Sequence, residues 1–207
     1  MYVKLTSVDQ GTTEGGNSES GSIRSWIQCL AAQSHAAKIK ILVVWFGAND
    51  ACVESSSQHV PLPKFIANLK DMVSLIHSAD PETRVILITP PPVNTHQRTA
   101  DLSSRVTPLA LDRTFEATRA YAEGVKEAAA ASKVSVVDVW TALWTAAEER
   151  EEALSEYLSD GLHLRPEGYA VVYEALMKTI EQEHADLHYE RIGYVFPVWT
   201  ELATSGI

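Results

Sequence analysis

Long apolar runs are missing from this chain. No stretch approaches the roughly 20 residues that a membrane-spanning helix needs. The opening stretch, MYVKLTSVDQGTTEGGNSES, also lacks the apolar centre of a secretory signal, so an intracellular, cytoplasmic location is the expectation. Cysteine is scarce. Cys29 and Cys52 are too few for a disulfide framework and are not spaced as metal ligands. They read as reduced thiols packed like small hydrophobes. Basic charge is in deficit, with 17 Lys and Arg against 27 Asp and Glu and a formal net charge of −10. Such a surface repels phosphate backbones and anionic bilayers, which excludes a nucleic-acid partner. No glycine-rich phosphate loop follows any strand-like run, which disfavours a flavodoxin-like cofactor binder. No internal repeat is visible.

What is present is enough for one substantial core. A chain of 207 residues with 45% hydrophobic residues has ordinary globular proportions. Three short runs rich in β-branched residues, Lys40–Phe46, Arg84–Thr89 and Lys133–Val139, read as strands buried on both faces. Between them lie stripes at helical spacing. One is Phe65, Leu69, Met72 and Ile76; a second is Leu111, Phe115, Thr118, Ala122 and Val125. The last is Tyr169, Val172, Tyr173, Leu176 and Ile180, with Pro166 suited to a first helical turn. Strands alternating with helices imply a parallel sheet covered on both sides, a three-layer α/β/α domain. The segment Asp9–Ser20 is polar and aperiodic and reads as a loop. The aromatic tail, Leu187–Trp199, reads as an irregular segment packed across the domain surface.

Ligands of parallel α/β sheets gather at the carboxyl ends of the strands. Directly after the run KILVVWF stands Gly47-Ala48-Asn49-Asp50. A glycine allows a sharp turn there, and the Asn49 amide is a neutral donor suited to an oxyanion. On the tetrapeptide alone an Asx turn is the simpler account. Further on, Asp160 precedes His163 by three residues, just ahead of the Pro166 helix. A histidine general base needs a carboxylate to fix its tautomer, and a short loop can aim both at one crevice. The bland account is an aspartate that caps the next segment beside a surface histidine.

GANDAC at Gly47–Cys52, with DGLHL at Asp160–Leu164, resembles two sequence blocks of the SGNH (GDSL-type) hydrolases. VPLPKFIANLKDMV, ITPPPV and VFPVWTEL resemble the isoamyl acetate-hydrolysing esterase branch of that family. Gly21-Ser22-Ile23-Arg24-Ser25-Trp26 resembles a third block, agreeing at Gly21 and Trp26. The resemblance runs from about Gly21 to Leu202 and implies a flavodoxin-like SGNH fold. It further implies His163 as the base, Asp160 as its orienting partner, Asn49 as an oxyanion-hole side chain, and the Gly21 N–H as a second donor. The implied activity is serine esterase action on short-chain acetate esters. A small-molecule ester would be the partner, and no metal or organic cofactor is needed.

The family's Gly-Asp-Ser nucleophile motif has no counterpart here. The nearest candidate is Ser7 in Leu5-Thr6-Ser7-Val8-Asp9-Gln10-Gly11, where Leu5 and Thr6 replace the motif's Gly and Asp. Only thirteen residues, Val8 to Ser20, separate Ser7 from Gly21 (20 − 8 + 1 = 13). A parallel crossover needs about a dozen residues for its connection alone. If Ser7 is the nucleophile, Tyr2–Leu5 is the first strand and the edge strand with its helix is gone. The expectation is therefore an N-terminally shortened member. Residues 1–20 would form a short degenerate or disordered segment and residues 21–207 the hydrolase-like domain. Esterase activity would be poor or absent. The alternative is a catalytically silent relative that binds a small acyl compound or serves as an interaction module.

Overall fold

Apolar runs that alternate with amphipathic stretches form the expected parallel sheet in the computed structural model, which describes the backbone of Tyr2–Thr6 and residues 38–193. Four strands, β1 (Tyr2–Thr6), β2 (Ile41–Trp45), β3 (Arg84–Ile88) and β4 (Ser135–Val137), lie side by side in that order. All pairings are parallel. Thr6 is level with Trp45, Trp45 with Ile88, and Ile88 with Val137, so the carboxyl ends of all four strands line up. The apolar residues of the strands are divided by the pleat, because successive side chains point to opposite faces.

Leu42, Val44, Val85 and Leu87 face α1 (Leu62–Ala79) and α3 (Phe115–Ser132). The stripe Phe65, Leu69, Met72 and Ile76 is buried there against Tyr121, Val125 and Ala129. Ile41, Val43, Ile86 and Ile88 face the other way, onto α4 (Val139–Ala146) and α5 (Pro166–Glu183). Full burial of each large aliphatic or aromatic side chain contributes about 1.5–3 kcal/mol, and both layers are built from many of them. Among the described residues, no helix is long and apolar enough to cross a membrane.

Several boundaries differ from the sequence reading. The third strand-like run stops at Val137, because the Asp138 side chain accepts the Thr141 N–H and starts α4 at Val139. Leu111 lies ahead of α3, whose N-cap is Thr114 with its side chain accepting from Ala117. In α5, Pro166 does open the helix, but Tyr169 and Tyr173 are more than half exposed and the buried positions are Gly168, Val172 and Ile180. Helix α2 (Thr95–Ser104), begun by an Asn94 cap onto Gln97, has no counterpart in the apolar pattern. Of the aromatic tail only 187–193 is described, and Tyr189 and Ile192 there are exposed. Asp9–Ser20, Cys29 and the rest of the tail lie outside the described residues.

Candidate active site

The loop after β2 turns on Gly47, whose φ of 115° lies in the region that disfavours a side chain. A Cβ there would also sit 3.0 Å from the Pro90 ring and 3.2 Å from Phe65. The turn is closed by Asp50, fully buried, whose Oδ2 accepts the Gly47 N–H at 3.1 Å. So the aspartate of the tetrapeptide makes the turn. The Asn49 side chain is engaged elsewhere: its Oδ1 accepts from Arg113 at 2.9 Å. A guanidinium only donates, so this contact fixes which end of the amide is oxygen and which is the donor Nδ2.

The loop carrying Asp160 and His163 docks on the chain that leaves β3. Asn94 donates its N–H to the Gly161 carbonyl at 3.0 Å. Gly161 has φ 84°, and a Cβ on it would meet the Arg98 nitrogen and the Asn94 oxygen at 2.5 Å. Only glycine fits such an approach. Asp160 Oδ1 accepts the backbone N–H groups of Leu162 at 3.0 Å and His163 at 2.8 Å, and Oδ2 lies 2.9 Å from His163 Nδ1. Arg165, not Asp160, is the N-cap of α5, so the simple capping account does not describe this loop. Burial by itself would push the Asp160 carboxyl up. The hydrogen bonds from the His163 ring and backbone and from Leu162 outweigh it and hold Asp160 well below the usual carboxylate range. An ionised carboxylate can only accept, so Nδ1 is the ring nitrogen that donates to it, and in the neutral ring Nε2 is the acceptor. The ring itself is exposed, with 66% of the side chain open to solvent.

Three residues that no sequence pattern singled out connect these two loops. Arg98, on α2, donates from Nη1 to Asp160 Oδ2 at 2.7 Å and forks onto Asp112 at 3.0 and 2.8 Å. Asp112 Oδ2 also accepts from Arg113 Nη1 at 2.5 Å. Arg113 Nε donates to the Ala48 carbonyl at 2.7 Å. Burial opposes the charge of Asp112, yet the Arg98 hydrogen bonds and the Arg113 charge bring its carboxyl below the usual range. The result is a continuous chain of contacts, His163–Asp160–Arg98–Asp112–Arg113–Asn49, at the carboxyl end of the sheet. Arg98 and Asp160 stand 62 residues apart in sequence and Arg113 and Asn49 stand 64 apart, so no local signal leads to the chain of contacts.

Ser7 directly follows the last residue of β1 in the sequence; Ser7 and Gly21 both lie outside the described residues. Cys52 is a buried free thiol, and burial pushes its pKa up, as for an inert packed cysteine.

A parallel three-layer domain with this constellation at its carboxyl end has clear relatives. The family model for GDSL-like lipases/acylhydrolases matches residues 9–171, and the chain belongs to that family. Among its curated relatives is the isoamyl acetate-hydrolyzing esterase 1 homolog of Bos taurus, 33% identical over 165 residues, covering 78% of this chain and 62% of the bovine protein. A GDSL esterase/lipase of Arabidopsis thaliana is 36% identical over 145 residues, covering 69% of this chain and 58% of the plant protein. The chain thus spans about 60% of the length of these two relatives. In fold it is similar to the lipase/acylhydrolase of Enterococcus faecalis, with a TM-score of 0.56, 21% identity, and coverage of 87% of this chain and 95% of that one.

Proposed function

We propose that this chain is a serine-type ester hydrolase of the SGNH kind, acting on short-chain acetate esters. The observation that carries the reading is the 2.9 Å contact between Asp160 and His163 Nδ1, at the end of the sheet where the Asn49 amide is also held in one orientation. Ser7 is the proposed nucleophile, and the parallel pairing of β1 beside β2 supports it. Its Oγ attacks the ester carbonyl while His163 Nε2 takes the hydroxyl proton. The oxyanion accepts hydrogen bonds from Asn49 Nδ2 and the Gly21 N–H. Collapse of the tetrahedral intermediate breaks the bond to the alkoxy oxygen, which leaves as the alcohol with the proton from His163. Water, deprotonated by the same nitrogen, then releases the acid. Asp160 orients the imidazole and steadies its charged form. The short-chain acetate class follows the likeness to isoamyl acetate-hydrolyzing esterase relatives such as the bovine one.

One observation favours a second reading. Leu5 and Thr6 stand where the family motif has Gly and Asp, so Ser7 lacks its usual supports and turnover is expected to be low. A catalytically silent relative that binds a small acyl compound would share the same pocket residues. Hydrolysis of p-nitrophenyl acetate by the purified protein separates the two. Turnover that disappears in Ser7→Ala and in His163→Ala, with covalent labelling of Ser7 by a fluorophosphonate, supports the esterase. Turnover indistinguishable from buffer, with no labelling, supports the silent relative.

A further inference from the structure

Burying ions is a poor way to gain stability. Two charges taken from water lose solvation that their mutual attraction only about repays, and well-packed apolar residues often do as well. Yet Arg98 and Arg113 have only 6% and 4% of their side chains exposed. Each ends on a residue of the proposed machinery. Arg98 holds Asp160 Oδ2, the same oxygen that faces His163 Nδ1. Arg113 holds Asn49 Oδ1 and the neighbouring Ala48 carbonyl. Between them Asp112 receives both guanidiniums, two oxygens on Arg98 and one of these shared with Arg113.

The backbone braces both arms. Cys52 and Arg113 form an antiparallel bridge, and Val53 donates its N–H to the Asp112 carbonyl at 2.9 Å, which ties the Asp112–Arg113 segment to the Asn49 loop. On the other side, Arg98 donates its N–H to the Asn94 carbonyl and Asn94 donates to Gly161, which ties the start of α2 to the Asp160 loop. The two loops are each fastened to one arginine by backbone, and the arginines are fastened to each other through one carboxylate.

We propose that Arg98 and Arg113, bridged by Asp112, are positioning residues that lock the Asp160–His163 pair and the Asn49 amide in a single register. The proposal rests on the roles given to Asp160, His163 and Asn49 above. The planar forks matter more than the charges. A lysine at 113 would keep the positive charge but could not span Ala48, Asn49 and Asp112 together. Small displacements at an oxyanion donor or a general base are expensive in rate, so the lock acts on turnover more than on binding.

The test uses the full chain and two kinds of measurement. With p-nitrophenyl acetate, Asp112→Asn and Arg113→Lys should each lower kcat about 10- to 100-fold with KM little changed. Nuclear magnetic resonance supplies a reading that needs no turnover. Ring nitrogen shifts of His163 report its tautomer, and the Asn49 side-chain NH₂ resonances report its amide. Asp112→Asn should move both sets of signals, whereas Arg113→Lys should move the Asn49 signals most. A folded Asp112→Asn protein with both sets unmoved overturns the proposal. If that variant does not fold, Arg113→Lys decides alone: wild-type kcat or unmoved Asn49 signals would overturn the lock. A wild-type protein without turnover defeats the esterase reading only, and the resonance shifts still decide the positioning claim.

Discussion

The two ends of the sheet carry arginine–aspartate forks of similar geometry in different surroundings. At the amino end, Arg84, the first residue of β3, reaches Asp186 at 2.5 and 2.9 Å with the two side chains 37% and 62% exposed. At the carboxyl end, Arg98 reaches Asp112 at 3.0 and 2.8 Å with its own side chain 6% exposed. Distance does not tell them apart. Water does. An exposed fork is screened by solvent and salt and must hold two long side chains still, so it contributes little. In a buried fork each ion depends on its partner, because the loss of one leaves the other desolvated and unmatched. The same residue types are thus decoration at one end and scaffolding at the other.

The difference can be broken first at the chemistry. His163→Ala should bring p-nitrophenyl acetate hydrolysis down to the buffer rate, however low the wild-type turnover, since triad members act as a unit. Retained turnover would move the active centre away from the carboxyl end. Next in size is Arg98→Met, which among the described residues takes from Asp112 one of its two guanidiniums and from Asp160 its only one. Urea unfolding should show a loss of about 3–5 kcal/mol, the range for breaking a buried pair from one side. A loss well below that would mean the buried fork behaves like the exposed one. Asn49→Ala removes one oxyanion donor and should cost ~2.7–4 kcal/mol of transition-state stabilisation, together with a smaller loss of stability in urea, because buried Arg113 loses an acceptor.

A smaller effect distinguishes the two ends by pH. Asp160 is held below the usual carboxylate range in the fold and returns to it on unfolding. The unfolded chain therefore takes up this proton first as pH falls. The stabilisation is complete above the ordinary carboxylate range and is lost as pH drops from about 4 toward the folded value. Asp160→Asn should be less stable at neutral pH and should lose less stability on acidification than the wild type. Parallel slopes for the two proteins in urea titrations below pH 4 would contradict the pairing.

Much of the frame at both ends could be read from residues alone. Ile41–Trp45 and Arg84–Ile88 announce themselves because strands buried on both faces need continuous β-branched and aliphatic residues. Val137 and Val139 were harder to separate. Both are buried against the same layer, and only the Asp138 cap marks where strand gives way to helix. Helix α2 stayed hidden since its buried positions are Arg98 and Leu102, too few for an apolar stripe. Asp160 and His163 were legible because their contact is local, three residues apart. Arg98 and Arg113 were not, because the fold brings their partners in from 62 and 64 residues away in sequence. Gly161 left a trace in DGLHL, but its need for positive φ and a bare Cα came from the approach of Arg98 and Asn94.

The smallest expected effect lies at the amino end, and it is the control for all the others. Arg84→Gln removes a fork that is as short as the buried one and leaves β3 and its apolar pairing intact. Asp186, left without its partner, stays in water and keeps its hydration, so no desolvated charge is created. His184 lies nearby and Arg84 contributes to lowering its pKa, after burial, so the substitution should ease that shift without reaching the distant carboxyl end. Urea midpoints of Arg84→Gln and wild type should agree closely, and any gap between them should shrink as salt is added. Turnover of p-nitrophenyl acetate should be unchanged. A midpoint shift as large as that of Arg98→Met, insensitive to salt, would show that burial is not what separates the two forks.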